Sequence, residues 1–140
     1  MIESEIRILL QTIAIQTRKN YAQKLRDLGL HIGQELALFH LWEQEGLTQS
    51  QLRNKIGTEA STMSNMLRKL ESDEIVYRTP DERDHRITNV YLTDKGKQLR
   101  EPIMNMWKQH EEELLQGIQP DQLRALHDTL KQMEGNLVGD

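Results

Sequence analysis

Apolar residues recur every three or four positions at both ends of the chain, and this spacing is the period of an amphipathic helix. The first stripe runs from Ile2 to Leu28 and stops before Gly29, a residue type that often ends a helix. Such a helix gains most of its stability from the surface against which it packs. A stripe of about seven turns at a chain end therefore predicts a long helical partner.

The amino-acid composition also favours helices. The chain has 20 Leu and 11 Ile but only 3 Val, and its six aromatic residues indicate at most a small sheet. Cysteine is absent, which excludes disulfides, thiol nucleophiles and cysteine-ligated zinc. The net charge is −4, but the segment 53–100 has 10 basic and 8 acidic residues and is net basic. This bias alone does not identify a polyanionic partner, so evidence for nucleic-acid binding must come from sequence motifs.

The best local signal in the chain is a helix start. Thr48 and Gln51 have the spacing of a capping box, and Leu47 and Leu52 have the spacing of a hydrophobic staple. Gly57 follows soon afterwards. These residues predict a short helix that ends at the glycine.

The segments on both sides of this short helix are also predicted to be helical. Residues 36–42 are apolar on nearly all sides, which favours a buried helix that ends before Gly46. Thr58 can cap a further helix over residues 59–72. Two capped short helices separated by a glycine turn are typical of a helix-turn-helix, whose second helix faces outward. The predicted inner stripe of that second helix is Ala60, Met63, Met66, Leu67 and Leu70.

A hairpin is predicted next. Residues 75–78 and 90–92 are the strand candidates, and the charged segment 79–89 joins them. Thr93 is then placed to cap a helix that begins at Asp94.

The helix that begins at Asp94 and one final helix complete the predicted order of elements. Pro102 lies inside the first of them and should kink it, and Gly117 should end it. Pro120 suits the first turn of the final helix. The predicted inner positions of the two helices are Leu99, Ile103, Met106, Trp107, His110 and Leu114, followed by Leu123, Leu126, Leu130, Met133 and Leu137.

Five motifs occur in order between residues 47 and 96. They are Leu47-Thr48-x-x-x-Leu52, Ser61-Thr62-Met63-Ser64-x-Met66-Leu67-x-x-Leu70-Glu71, Ile75-Val76-x-Arg78, Asp84-x-Arg86 and Val90-x-Leu92-Thr93-x-Lys95-Gly96. Together they resemble the MarR family of bacterial transcription regulators. The resemblance implies a mainly α-helical fold with a small β-hairpin wing, in which a winged helix-turn-helix is flanked by N- and C-terminal dimerisation helices. Residues 31–93 would then form the DNA-binding region, and residues 1–30 and 94–140 the dimerisation region.

The resemblance further implies a homodimer that binds double-stranded DNA and acts as a repressor relieved by a small-molecule effector. Long apolar stripes on a chain with few core residues independently favour an oligomer. Most such oligomers are two-fold dimers, which read pseudo-palindromic operators with half-sites about 34 Å apart. Since a fold alone does not define a function, a winged-helix protein-interaction module without specific DNA binding is the alternative.

The predicted outer face of helix 59–72 has residue types suited to a major groove. Short hydroxyl side chains can donate to phosphates or base edges, an amide can pair with adenine, and an arginine can bind guanine or a phosphate. An ordinary solvated helix face is the alternative interpretation. The candidate DNA-binding residues are Ser61, Thr62, Ser64, Asn65, Arg68 and Lys69.

The charged hairpin supplies three more candidates. Arg83 and Arg86 lie where a wing reaches past the recognition helix, and narrow minor grooves attract guanidinium groups. Asp84 is two residues from Arg86, so on a strand both side chains share a face and the carboxylate can hold the guanidinium. In the MarR family the matching Asp-x-Arg pair does this. The alternative is a solvated charged turn, and His85 receives no assignment.

The histidines and aromatic residues are candidates for a ligand site. His40 and His110 lie on or beside apolar stripes, but neither belongs to a His-x-x-x-His or Glu-x-x-His pair, so we expect no metal site and no cofactor. A packed or half-exposed histidine is the simpler interpretation, and lining of an effector pocket is the alternative. The same two alternatives, core packing or the effector crevice implied by the family, apply to Tyr21, Phe39, Trp42 and Trp107.

Enzymatic function is not expected. The chain has no glycine-rich phosphate loop, no Gly-x-Ser-x-Gly, no cysteine nucleophile and no spaced set of histidines and carboxylates. The first residues are acidic where a signal peptide is basic, and no apolar run approaches about 18 residues. We therefore expect a cytoplasmic protein without a membrane partner.

Overall fold

The computed structural model describes residues 1–138 of the chain. Gly139 and Asp140, the end of the predicted dimerisation region, lie outside the described residues. The predicted fold class is confirmed, because helices dominate the described part and one antiparallel hairpin interrupts them. The elements are α1 (Ile2–Asp27), α2 (Gln34–Glu43), α3 (Gln49–Ile56), α4 (Ala60–Ser72), β1 (Val76–Pro80), β2 (Thr88–Leu92), α5 (Asp94–Gln98), α6 (Arg100–Leu114) and α7 (Pro120–Val138).

The chain divides into two compact units, residues 1–107 and the part from Lys108 onward. In the first unit, the hydrophobic core draws on α2, α3, α4 and the hairpin of β1 and β2, and the last turn of α1 adds Leu25. Burying each large apolar side chain contributes about 1.5–3 kcal/mol, so this core positions the elements around it. Its buried side chains include Leu38, Leu41, Leu52, Met63, Leu67, Leu70, Val76 and Val90.

The first four turns of α1 carry apolar side chains that are exposed to solvent in the single chain. Leu25 alone is buried among the residues of this helix, all of which the structure describes. The predicted stripe therefore forms a helix whose apolar N-terminal part is uncovered. The exposed residues are Ile2, Ile6, Ile8, Leu9, Leu10, Ile13 and Ile15.

The N-terminus of α3 has the predicted capping box. Thr48 Oγ1 accepts from the Gln51 backbone N–H at 3.0 Å, and the Thr48 N–H donates to Gln51 Oε1 at 2.9 Å. Leu47 and Leu52 are both buried, as a hydrophobic staple requires. Gly57 ends the helix with a φ of 79°, a left-handed conformation that glycine adopts without strain.

The start of α4 differs from the prediction. Glu59 precedes the first helical residue and makes no side-chain cap, so the predicted cap at Thr58 is wrong. The threonine lies one residue too early, since a capping side chain must reach an N–H two or three residues further on. Ala60 is exposed and does not belong to the inner stripe, because the first turn extends past the core. Met63, Leu67 and Leu70 are buried as predicted, and Met66 is half-buried.

The burial of α2 differs from the prediction of a helix that is apolar and buried on nearly all sides. Leu36 is 45% exposed, whereas Gln34 and Glu35 are buried in the first turn. The Glu35 carboxylate accepts from the Gly33 N–H at 2.6 Å, and burial raises the pKa of this carboxyl group above its ordinary value. The backbone N–H groups at the start of a helix have no acceptor within the helix, so a polar side chain buried there can accept a hydrogen bond from them.

The hairpin has a shorter connection than predicted. Its strands pair in antiparallel register with Pro80 opposite Thr88, so the wing tip is residues 81–87. The Val90 N–H donates to the Leu47 carbonyl at 2.9 Å. This bond joins the hairpin to the segment that precedes α3.

The predicted kinked helix is two helices, α5 and α6, separated at Leu99. Pro102 is the third residue of α6, where a missing N–H costs no helical hydrogen bond. Gly96 in α5 packs so closely on the Ile75 carbonyl oxygen that a Cβ atom would clash with it. The Gly96 carbonyl in turn accepts from Trp42 Nε1 at 3.0 Å, which ties α5 to α2.

The second unit contains α7, which begins at Pro120 as predicted. None of its described residues is buried in the single chain. The predicted helix is therefore present, but three of its predicted inner side chains are exposed to solvent: Leu126, Leu130 and Leu137.

Candidate nucleic-acid interface

The side chains predicted for the major groove lie together on one side of α4. Five of them are exposed and Ser64 is half-buried, because the buried positions of the helix lie on its other side. We call this surface the outer face of α4, and it consists of Ser61, Thr62, Ser64, Asn65, Arg68 and Lys69.

Hydrogen bonds and an ion pair orient the polar groups of the outer face. Arg68 Nη1 donates to Asn65 Oδ1 at 3.1 Å, so these two candidates for base contacts are coupled. Lys69 Nζ lies 3.3 Å from the Asp73 carboxylate, one helical turn further on. Ser64 Oγ accepts from Gln49 Nε2 at 3.1 Å, which links the outer face to α3.

The wing tip contains the Asp84–Arg86 contact that the sequence predicted. Arg86 Nε donates to Oδ1 of Asp84 at 3.0 Å, and Arg86 Nη2 donates to Oδ2 at 3.1 Å. These bonds hold the pKa of the Asp84 carboxyl below its ordinary value. The pair lies in the turn, outside the strands on which the prediction placed it, and the Arg86 side chain is 90% exposed.

A second carboxylate orders the same turn, and the sequence interpretation did not find it. Asp81 Oδ2 accepts from the backbone N–H groups of Arg83 and Asp84 at 3.0 and 3.1 Å, and Oδ1 accepts from Asn89 Nδ2 at 3.0 Å. The bond from Asn89, followed by the two backbone bonds, lowers the pKa of Asp81. An aspartate that accepts from N–H groups two and three residues ahead is a turn signal that could have been read from the sequence.

A cleft of about 370 Å³ brings α3, the start of α4 and the wing together. Its lining includes Ser64 and Arg86, which the sequence predicted, and Arg53, which it did not. The other two wing candidates, Arg83 and Asp84, and the other five residues of the outer face of α4 lie outside this lining. The cleft therefore joins part of the outer face of α4 to the wing on one surface.

The comparisons with known proteins agree with this architecture. Residues 30–88 match the MarR family. The organic hydroperoxide resistance transcriptional regulator of Bacillus subtilis (strain 168) is 30% identical over 122 residues, which are 82% of this chain and 83% of that protein. The chain belongs to the MarR family. Members of this family are transcriptional regulators and not enzymes, as the sequence predicted.

Two further similarities extend over most of this MarR-family chain. The transcriptional regulator TtmR of Methylorubrum extorquens (strain PA1) is 32% identical over 117 residues, which are 84% of this chain but 59% of TtmR. The structure of the S. aureus MepR–DNA complex has a TM-score of 0.83 and 27% identity. The superposition covers 92% of this chain and 94% of the MepR chain.

Three of the candidate effector residues of this MarR-family chain, Phe39, His40 and Trp107, pack together. Phe39 packs edge-on against His40 and Trp107, with ring centroids 5.2 and 5.7 Å apart. Burial lowers the pKa of His40, and His110 is buried. Tyr21 is half-buried against the core.

Within residues 1–138, no group of three or more histidines, cysteines or carboxylates is arranged to hold a metal ion. No helix in that range is long and apolar enough to cross a membrane.

Proposed function

We propose that this chain is a homodimeric, sequence-specific DNA-binding repressor of the MarR family. The outer face of α4 enters the major groove, and Arg83 and Arg86 of the wing tip enter the adjacent minor groove while Asp84 orients Arg86. The observation that carries the proposal is the shared cleft, in which Ser64 of α4 and Arg86 of the wing line one surface. The similarity to MepR, which has been crystallised with DNA, supports it.

The dimer in this proposal uses residues 1–30 and 94–140, and the winged region of residues 31–93 binds the operator. The exposed apolar residues of α1 support this division, because solvent-facing apolar surface of this extent usually marks an interface. Two-fold pairing places two copies of α4 on a pseudo-palindromic duplex.

A small-molecule effector and a cytoplasmic location complete the proposal. The half-buried aromatic contact between Phe39 and Trp107 is a candidate wall for an effector site, because aromatic side chains commonly line ligand pockets. A thermal-shift screen tests this part, since a ligand that binds only the folded protein raises its Tm.

A gel-shift titration with the promoter DNA upstream of the chain's own gene tests DNA binding. We expect a shifted band that survives an excess of unrelated competitor DNA, and we expect Arg86→Ala to weaken it at matched salt. If the band disappears with competitor DNA, the protein-interaction module becomes the better interpretation.

Light scattering at micromolar concentration tests the dimer. The parent should have twice the monomer mass, and Ile13→Glu should shift the protein towards monomer by placing a charge on the exposed apolar surface of α1. Gln11→Glu adds the same charge to another side of the helix and is the matched control. A monomeric parent contradicts the proposal.

A further inference from the structure

Four polar side chains link α4, β1 and α3 in a continuous chain of hydrogen bonds. Arg78 on β1 donates through Nη2 to Oε1 of Glu71 at 3.0 Å, and its backbone N–H donates to Oε2 at 3.2 Å. Arg78 Nη1 donates to Oε1 of Gln49 at 3.5 Å, and Gln49 Nε2 donates to Oγ of Ser64 at 3.1 Å. We call these four residues the Ser64 relay.

The chemistry of the side chains gives the relay one direction. A guanidinium group has donors but no acceptor, so the Gln49 amide must present its oxygen to Arg78. Its NH₂ group therefore faces Ser64, whose oxygen accepts this bond. A serine hydroxyl has one proton to donate, and that proton is directed away from Gln49.

Glu71 anchors the far end of the relay. The hydrogen bond from Arg78 lowers the pKa of the Glu71 carboxyl, so this group stays ionised near neutral pH. The two side chains are 40% and 26% exposed, which leaves them partly shielded by α4 and β1. A charged acceptor at this end keeps the guanidinium in place and with it the orientation of the Gln49 amide.

We propose that the Ser64 relay makes Ser64 an obligate hydrogen-bond donor to DNA, with Gln49 as its positioning residue. This inference rests on the proposed function. The cleft that Ser64 lines also contains Arg53 and Arg86, whose guanidinium groups have hydrogen-bond donors and no acceptor. The matching group on a duplex is an acceptor, either a phosphate oxygen or the acceptor edge of a base.

Two substitutions separate the hydroxyl from its orientation. Ser64→Ala removes the donor and should weaken operator binding about ten-fold, while Ser64→Thr keeps a hydroxyl and should bind closer to the parent. Gln49→Glu keeps the size and the bond to Arg78, but its carboxylate can only accept. The Ser64 proton then turns inward, and DNA meets a lone pair. We expect a loss comparable to that of Ser64→Ala.

The added charge of Gln49→Glu requires a matched control, which Gln51→Glu provides. This residue lies on the same helix, and a glutamate there preserves the acceptor of the capping box. Affinities are measured by fluorescence anisotropy at fixed salt, and equal Tm values show that each variant is folded. In the Ser64→Ala background, Gln49→Glu should cost no more affinity than Gln51→Glu, because no hydroxyl remains to be turned.

Two results would overturn the inference while leaving the proposed function intact. One is a parent that binds the operator and a Ser64→Ala variant that binds equally well. The other is a Gln49→Glu loss that equals the Gln51→Glu loss in the parent background. Both would show that the orientation of the Ser64 hydroxyl does not matter, whereas a parent that fails to bind would refute the proposed function itself.

Single-base operator variants identify the acceptor. If Ser64 donates to a phosphate, Ser64→Ala should weaken all operator variants by the same factor. If it donates to a base edge, Ser64→Ala should lose discrimination at one base pair. Either pattern supports the relay.

Discussion

The wing tip and the outer face of α4 hold their candidate DNA-binding groups in different ways. Arg86 donates to the carboxylate of Asp84, two residues away, and the backbone N–H of Asp84 donates to the carboxylate of Asp81, three residues away. Ser64 is held by Gln49, 15 positions away, which in turn contacts Arg78, 29 positions away. The wing tip is thus ordered by neighbours in sequence, whereas the position of Ser64 on the outer face depends on the packing of three separate elements.

The largest expected difference between the two regions is in stability. Leu67 lies on the inner side of α4 and is fully buried, so Leu67→Ala should lower the free energy of unfolding by about 2–5 kcal/mol. Arg86→Ala removes an exposed ion pair and should change it by no more than about 1 kcal/mol. Urea unfolding at one fixed protein concentration measures both values. Equal losses would refute the distinction.

A smaller effect is expected on base recognition. Arg68→Ala should cost about 1–3 kcal/mol of operator affinity and relax the preference at one base pair, because a guanidinium that pairs with guanine discriminates among bases. Anisotropy titrations on single-base operator variants measure this. Arg124→Ala, an exposed arginine on α7, is the control and should leave the preference unchanged. A uniform loss across all variants would instead indicate a phosphate contact.

The salt dependence should distinguish the wing tip. Arg86→Ala should lower the magnitude of the slope of log affinity against log salt by about 0.9 if Arg86 neutralises one phosphate charge. Ser64→Ala removes no charge and should leave the slope unaltered. Parallel titrations over the same salt range supply the comparison, with Lys131→Ala on α7 as a charge-matched control. An unchanged slope for Arg86→Ala would contradict a phosphate contact from the wing tip.

The smallest expected effect concerns acid pH. The pKa of Asp84 in the folded protein lies below its ordinary value of 3.8, so its bond to Arg86 is fully present above that pH. The bond is lost only as pH falls through the lowered pKa, and the wing pair should not change between about pH 5 and 8. A carboxyl ¹³C NMR titration should show a midpoint below 3.8 that rises in Arg86→Ala. A midpoint that does not respond would mean that the pair does not persist in solution.

Several elements could be predicted because their causes lie within a few residues. The capping box at Thr48, the end of α3 at Gly57 and three buried positions of α4, Met63, Leu67 and Leu70, all follow from local spacing, and the structure confirms them. The Asp84–Arg86 contact belongs to the same class, although it forms in a turn and not on a strand.

The wrong predictions share a dependence on surroundings that local spacing does not contain. Thr58 has a suitable cap side chain, yet α4 begins one residue too late for it to act. Leu36 is apolar but faces solvent, and the helix expected to kink at Pro102 is divided upstream at Leu99. Each outcome depends on where the neighbouring elements pack.

The amino-acid sequence by itself determined where most helices and strands occur, which side of α4 is apolar and that Asp84 contacts Arg86 at the wing tip. These features depend on hydrogen bonds and side-chain periods that span only a few residues. The tertiary structure alone decided that Gln49, Arg78 and Glu71 meet behind Ser64 and that Arg53 shares a cleft with Arg86. Such contacts form only when a common core brings distant segments together, and no local pattern specifies which polar side chains will meet there.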